Sequence, residues 1–416
     1  MVAADKKNIG IIPNLERNIH MNILVINAGS SSIKYKLYDM PSGNVLAKGG
    51  AERIGINGSN LVHKVEGRDD YKIDTPMPDH VTAMRLVLGA LTDPAHGVIR
   101  DMSQIDAVGH RVVHGGQIFS SSVLLDEDAR GKIEGLSDLA PLHNPPALMG
   151  IEACLHTMPG TPMAAVFDTA FHQTMPDYAY MYALPYEYYT DHRVRRYGMH
   201  GTSHKYVSRR AAEILGRDIA DLKIVTCHLG NGASIAAVDG GKSVDTSMGL
   251  TPLAGIMMGT RCGDVDPAIA QYIMRKTDMD IFAFGDVMNK QSGLLGVSGL
   301  SSDMRDITVA AREGNKRAAL AQEMFCYQIR KYIGAYAAAM GGLDCVVITA
   351  GIGENTPLIR ERLAEGMEFL GLSVDSSRND RPAGDYVVSP DGARCAMVVV
   401  ATDEERVIAL ETMELL

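Results

Sequence analysis

Ile23-Leu24-Val25-Ile26-Asn27-Ala28-Gly29-Ser30-Ser31-Ser32-Ile33-Lys34-Tyr35-Lys36-Leu37-Tyr38-Asp39 joins two strand-like runs through a turn of small residues. The first run is continuously apolar, as in a buried strand, and the second alternates. Gly29 permits a tight turn, and the amides and hydroxyls of Ser30 to Ser32 can converge on an anion. Lys34 adds a mobile positive charge beside them. Taken alone, the stretch is equally a plain β-turn.

A second copy changes the balance. Lys223-Ile224-Val225-Thr226-Cys227-His228-Leu229-Gly230-Asn231-Gly232-Ala233-Ser234-Ile235-Ala236-Ala237-Val238-Asp239 repeats the order of β-rich run, glycine turn, small polar residues and second β-rich run. Two such units imply two related α/β domains facing each other, with a ligand cleft between them.

The 416 residues suit two domains of about 200 each. A net charge of −10 argues against a broad basic surface, so no nucleic-acid partner is expected. No apolar run reaches membrane-spanning length, and no membrane partner is expected either. The six cysteines form no C-x-x-C pair, which reads as buried thiols of a reducing compartment. Residues 1–20 contain Asp, Lys and Pro without a hydrophobic core, so they read as an N-terminal extension and not a secretory signal. A cytoplasmic location is expected.

Further along, Val81, Met84, Leu88 and Leu91 have helical spacing, and Ile105 to Gly116 reads as a buried strand carrying Arg111. An arginine there must be paired or reach a cleft. Asn144 as cap and Pro145 at the first helical position place His143 just before a helix N-terminus, which favours anions; alone, such a residue is more often an ordinary loop histidine. Asp168 ends a short apolar strand, where it can hold Mg²⁺ through water or cap a turn. Six tyrosines between Tyr178 and Tyr189 read mainly as packing in an irregular loop. His200 sits beside Gly201 at a strand-to-helix corner and is placed to face a ligand, with His204 in a supporting or capping role.

Residues 245–267 form a long Gly- and Thr-rich loop from which Arg261 can reach inward, and such loops usually carry function. Asp266 and Pro267 read as cap and first residue of the helix after it. Lys316 to Met340 reads as a long helix stopped by Gly341-Gly342. Gly351-Ile352-Gly353-Glu354-Asn355 reads as a glycine-rich turn with Thr356 capping the next helix. Thr402 and Glu405 read as a capping box, leaving Glu404 without a structural task.

Together, Val25 to Ser32, Gly109-His110-Arg111-Val112-Val113-His114-Gly115-Gly116, Pro141-Leu142-His143-Asn144-Pro145, Phe167-Asp168-Thr169-Ala170-Phe171-His172, His200-Gly201-Thr202-Ser203-His204, His228 to Gly232, Met257-Met258-Gly259-Thr260-Arg261 and Gly351 to Asn355 resemble the acetate kinase family. The resemblance runs from Met21 to the C-terminus. It implies an α/β fold of two ribonuclease-H-like domains shared with sugar kinases, Hsp70 and actin. The expected division is 21–170 with a C-terminal helix 406–416, and 171–405 for the nucleotide. It also implies reversible phosphoryl transfer between ATP and acetate with Mg²⁺ (or Mn²⁺), giving ADP and acetyl phosphate, in a homodimer.

On matching positions, the resemblance implies that Arg111 and Arg261 hold the carboxylate and the phosphoryl group, with His200 donating and His143 nearby. Asp168, Glu404 and Asn27 would position the metal. Ser30, Ser32, Lys34 and the run His228, Leu229, Gly230, Asn231, Gly232 would lie along the phosphates. Asp303, Met304, Arg305 and the run Gly351, Ile352, Gly353, Glu354, Asn355 would hold the adenosine. Val113, Leu142, Met199 and Pro252 would line a pocket for the acetate methyl. Two departures stand out: Met199 replaces the family's usual Phe, and Ala254 replaces Glu in T-P-L-E-G. A flexible Met leaves propionate, or a broader set of short carboxylates, as an alternative substrate. From another class, a nucleotide-driven binding protein of the Hsp70 or actin type is the rival.

Overall fold

The computed structural model describes residues 21–381 and 384–416; the expected extension over residues 1–20 lies outside the described residues. One sheet contains β1 (Asn22–Gly29), β2 (Ser32–Asp39), β3 (Asn44–Glu52), β4 (Asn60–Lys64), β5 (Tyr71–Asp74), β6 (Ala107–Val112), β7 (Val123–Leu124) and β8 (Met163–Phe167). Its spatial order is β5-β4-β3-β2-β1-β6-β8-β7. The other contains β9 (Lys223–Leu229), β10 (Ala233–Asp239), β11 (Lys242–Thr246), β12 (Cys345–Thr349), β13 (Tyr386–Val387) and β14 (Ala396–Val399), ordered β11-β10-β9-β12-β14-β13.

The duplicated hairpin is the start of a duplicated sheet. In both sheets an antiparallel meander, β3-β2-β1 or β11-β10-β9, continues into two parallel strands, β6 and β8 or β12 and β14. This is the ribonuclease-H-like arrangement, present twice. The parallel strands are buried on both faces, which accounts for their unbroken apolar runs. Helices His80–Leu91 and Asn144–Thr157 cover one face of the first sheet, and the closing helix Glu404–Glu414 covers the other. Helix Lys316–Met340 packs on β9 and β10, with helix Gly201–Leu215 on the opposite face. In open α/β sheets, ligands bind beyond the carboxyl ends of parallel strands. Here those ends carry Asn27, Arg111 and Asp168 in one sheet and His228 in the other.

Several local readings need correction. Gly351–Asn355 is part of a short helix, Ala350–Asn355, rather than an open turn, and Thr356 makes no capping hydrogen bond through its side chain. The last helix is capped by Asp403, which accepts from Arg406 N; Glu405 pairs with Lys36, so no Thr402–Glu405 capping box forms. His143 takes the cap position assigned to Asn144, whose buried amide instead bonds the backbone of His114. Likewise Pro267, not Asp266, occupies the cap position of helix Ala268–Thr277. The tyrosine segment forms two short helices, and Tyr178, Tyr186 and Tyr188 are exposed rather than packed.

Buried histidines make the fold acid-sensitive. Burial lowers His110 to about 3 and His114, His172 and His228 to about 4. Their contribution to stability is full above the unfolded value near 6.5 and is lost as pH falls through the folded values. Each adds up to ~1.4 kcal/mol per pH unit to the slope across that window. The melting temperature is therefore expected to fall steeply from pH 6.5 to pH 4. A flat profile in calorimetry over that range would contradict this.

Candidate active site

Arg111 leaves β6 at its carboxyl end and meets Asp168, the residue after β8. Nε lies 3.1 Å from Oδ1 and Nη2 lies 2.6 Å from Oδ2, a two-pronged pair. Asp168 is 1 % exposed, so the guanidinium compensates a carboxylate withdrawn from water. That carboxylate, in turn, holds Arg111 firmly in its charged form.

His200 sits at the entry to helix Gly201–Leu215 with φ of 57°, a left-handed conformation uncommon for a side chain with a Cβ. The turn is pinned from below, because Gly201 N donates to Asp168 O at 2.8 Å. Any Cβ at Gly201 would overlap that carbonyl. One contact thereby joins the His200 corner to the strand end bearing Asp168.

Arg261 is placed by a similar device. Gly259 N donates to Asn231 O at 2.9 Å, clamping the 257–261 segment onto the Gly230-Asn231-Gly232 turn. A Cβ at Gly259 would overlap the Asn231 side chain. Arg261 Nη1 donates to Pro252 O at 3.1 Å, and no carboxylate pairs with Arg261 among the described residues. Burial lowers its pKa without a compensating anion. That leaves a cation short of a counter-charge.

These pieces converge. A methyl placed on Gly232 would stand 3.6 Å from Arg261 Nη1, 3.6 Å from His200 Cε1 and 3.7 Å from His200 Nε2, so the bare glycine keeps open the space they share. The His228 ring stacks on His200 with centroids 4.2 Å apart. Burial, then neighbouring His228 and His204, then Arg111 and Arg261, depress the His200 pKa well below its ordinary value. His143 is lowered by the protein mass around it and by Arg111, with Arg261 adding, although its surface is open. Burial lifts the Glu404 carboxyl to about 7; Arg111 opposes the rise, and Asp168 and Glu405 add to it. Thus Arg111, Asp168, Glu404, His143, His200, His228 and Arg261 form one electrostatic neighbourhood.

The remaining residues spread around it. Asn27 pairs with Lys34 across the first hairpin, while Ser30 and Lys34 are exposed. Leu229 faces Gly353, and Gly230 approaches Ala350, which brings helix Ala350–Asn355 against the second turn. The Glu354 carboxylate is occupied by the backbone amides of Ala350 and Thr402. Asp303 caps helix Met304–Arg312 and pairs with Arg305 at 2.6 Å, leaving Arg305 84 % exposed and Met304 in the core. Met199 lies in the apolar cluster against which Val113 packs, and Pro252 stands by Arg261. Leu142 is not gathered there and is 80 % exposed.

Arg360 was not signalled by the sequence. It is fully buried and donates to Gly353 O, Glu354 O, Asn379 Oδ1 and Asn379 O at 2.6–2.9 Å. It thereby fixes the carboxyl end of helix Ala350–Asn355. Ser234 and Thr226, behind His200, also gave no signal, being ordinary strand hydroxyls.

Among the described residues the buried His110 Nε2, on β6, has no hydrogen-bond partner. The oxygen donors nearest Arg111, Asp168 and Glu404, are hard ligands of the kind Mg²⁺ takes in ones and twos alongside phosphate oxygens. Among the described residues no group of three metal-ligating side chains is gathered, so a divalent cation here would draw on these two carboxylates and on the substrate's own oxygens.

A family model described as the acetokinase family matches residues 22–410. The acetate kinase of Alkaliphilus metalliredigens (strain QYMF) is 58% identical over 396 residues, 95% of this chain and 100% of that protein. Among solved structures, the acetate kinase of Porphyromonas gingivalis superposes with a TM-score of 0.93 at 48% identity, covering 95% of this chain and 99% of that one. A propionate kinase from Francisella tularensis subsp. tularensis SCHU S4 gives 0.88 at 41% identity, covering 95% and 100%.

Proposed function

The chain belongs to the acetokinase family, and from that premise we propose which of its residues carry out the transfer. It is an acetate kinase, moving a phosphoryl group between ATP and the carboxylate of acetate. The observation that carries the residue assignment is the meeting of Arg261 and His200 around the open space at Gly232, with the Arg111 charge near enough to depress the His200 pKa.

Acetate is already a nucleophile at pH 7, so no general base is required. The demands are in-line placement and cancellation of charge on the phosphoryl oxygens. Arg261, which has no carboxylate partner among the described residues, holds the group in flight. Arg111, anchored by Asp168, orients the carboxylate, and His200 donates to a phosphoryl oxygen with His143 beside it. The amides of the Gly230-Asn231-Gly232 turn, with Asn27, Ser30, Ser32 and Lys34 opposite, line the phosphate chain. Helix Ala350–Asn355 and the Asp303–Arg305 segment flank the nucleoside. Mg²⁺, held by Asp168, Glu404 and Asn27, would neutralise charge on the phosphate oxygens. The lobes 21–170 with 406–416, and 171–405, would close over the substrates.

The exposed Tyr272, Ile281 and Phe282 suit burial against a second copy in a homodimer, and six free cysteines suit the cytoplasm.

Val113, Met199 and Pro252 bound the acetate methyl, with Leu142 reaching it on closure. One methylene is worth only about 1–3 kcal/mol in such a pocket. A hydroxamate assay over acetate, propionate and butyrate is expected to rank acetate first in kcat/KM, propionate about 10–100-fold lower, and butyrate last. ADP release should depend on the added carboxylate. A preference for propionate would reverse the assignment, and acetate-independent ADP release would favour a nucleotide-driven binding protein.

A further inference from the structure

From His200 a line of hydrogen bonds runs inward. His200 Nδ1 lies 2.8 Å from Ser234 Oγ, Ser234 Oγ lies 2.8 Å from His204 Nε2, and His204 Nδ1 lies 2.7 Å from Thr226 Oγ1. Ser234, His204 and Thr226 are wholly buried, on β10, helix Gly201–Leu215 and β9. Nε2 of His200 points the other way, towards the space it shares with Arg261, and has no protein partner among the described residues.

Each hydroxyl has one proton to give and each neutral ring has one N–H, so the line has two self-consistent polarities. In the outward one, Thr226 donates to His204, His204 Nε2–H to Ser234, and Ser234 to His200 Nδ1. His200 then carries its hydrogen on Nε2. In the reverse polarity Thr226 must donate to its other acceptor, Ala236 O, at 3.4 Å. That is far beyond the 2.7–2.8 Å usual for a hydroxyl donor. The reverse polarity would also aim a bare lone pair of His200 at the phosphoryl oxygens.

We propose that Thr226, His204 and Ser234 are positioning residues that hold His200 as a neutral Nε2–H donor aimed at the transferring phosphoryl group. The inference rests on the reading that places that group at His200. The depressed pKa values of His200 and His204, both due first to burial, agree with neutral rings. The His228 ring, stacked on His200 and itself held by Ser203 Oγ at 2.8 Å, fixes the plane in which the N–H points. No proton changes owner, so the donor is the same in both directions of transfer.

The test is nitrogen-15 NMR of the histidine-labelled chain at pH 7.5, with His200 assigned by difference from His200→Asn. His200 is expected to show a bare Nδ1 and a protonated Nε2, both free and with ADP. A hydrogen on Nδ1 in both states would overturn the proposal, with no variant required. Ser234→Ala is expected to mix the tautomers and lower kcat about 10–100-fold while leaving KM for acetate and ATP nearly unchanged. Ser234→Thr, which restores the hydroxyl, should recover the Nε2–H signature. A Ser234→Ala enzyme with wild-type kcat would also overturn the proposal. Wild-type turnover by His200→Asn would instead sink the site reading and the donor role with it, whatever the tautomer.

Discussion

Arg261→Ala is expected to lower kcat at least ~100-fold, about 2.7 kcal/mol of barrier, while the protein keeps its melting temperature within a few degrees. The reason is the lack of any carboxylate partner among the described residues. Among the described residues Arg261 donates to Pro252 O and to the Met258 sulfur, so its loss removes little from the folded state. In the role proposed for it, its charge matters when negative charge builds on the phosphoryl group. Arg111→Ala should lose as much turnover but behave differently in the melt. Removing it strands Asp168, 1 % exposed, beside Glu404, and uncompensated buried carboxylates cost roughly 3–5 kcal/mol. Steady-state kinetics and calorimetry on both variants separate the two roles. Equal melting temperatures for the two alanine variants would contradict the anchoring of Asp168 by Arg111.

The second large effect is expected at Arg360, on the helix Pro357–Ala364. Arg360→Met keeps much of the volume but leaves Gly353 O, Glu354 O and both oxygens of Asn379 without their donor. Several buried acceptors left unpaired together cost about 3–5 kcal/mol. The loosened segment is the helix proposed to flank the nucleoside, so KM for ATP should rise far more than KM for acetate. A folded variant with an unchanged KM for ATP would show that this clamp does not serve the nucleotide.

Legibility in the sequence followed the range of the forces. The two hairpins were readable because glycine turns and period-two alternation are local, and they carried the doubled sheet. Helices His80–Leu91 and Lys316–Met340 were equally plain from their spacing and from the Gly341 stop. Arg111 stood out because a charge in an apolar strand needs a reason. What escaped depended on distant partners. Two glycines made Gly351–Asn355 look like a turn, yet Arg360 and the Glu354 carboxylate hold it helical. Arg360 itself resembles any arginine on a helix until Asn379 is folded against it. Ser234 and Thr226 reach His204 from 30 and 22 residues away, and nothing in a strand serine announces that. The last helix was misread by one position, since Asp403 outcompetes Thr402 as cap. Leu142, grouped with the methyl pocket, lies on an exposed turn whose burial would need the lobes to close.

On the proposed mechanism an oxygen of the carboxylate attacks phosphorus in the space between Arg261 and His200, with Arg111 alongside. Acetate carrying oxygen-18 in both positions, incubated with ATP, Mg²⁺ and the purified chain, tests it directly. Hydroxylamine then cleaves the acyl phosphate at carbon, releasing the bridging oxygen with phosphate. Mass spectrometry should find a single oxygen-18 in each released phosphate and none in ADP. Unlabelled phosphate, or label appearing in AMP, would contradict the account.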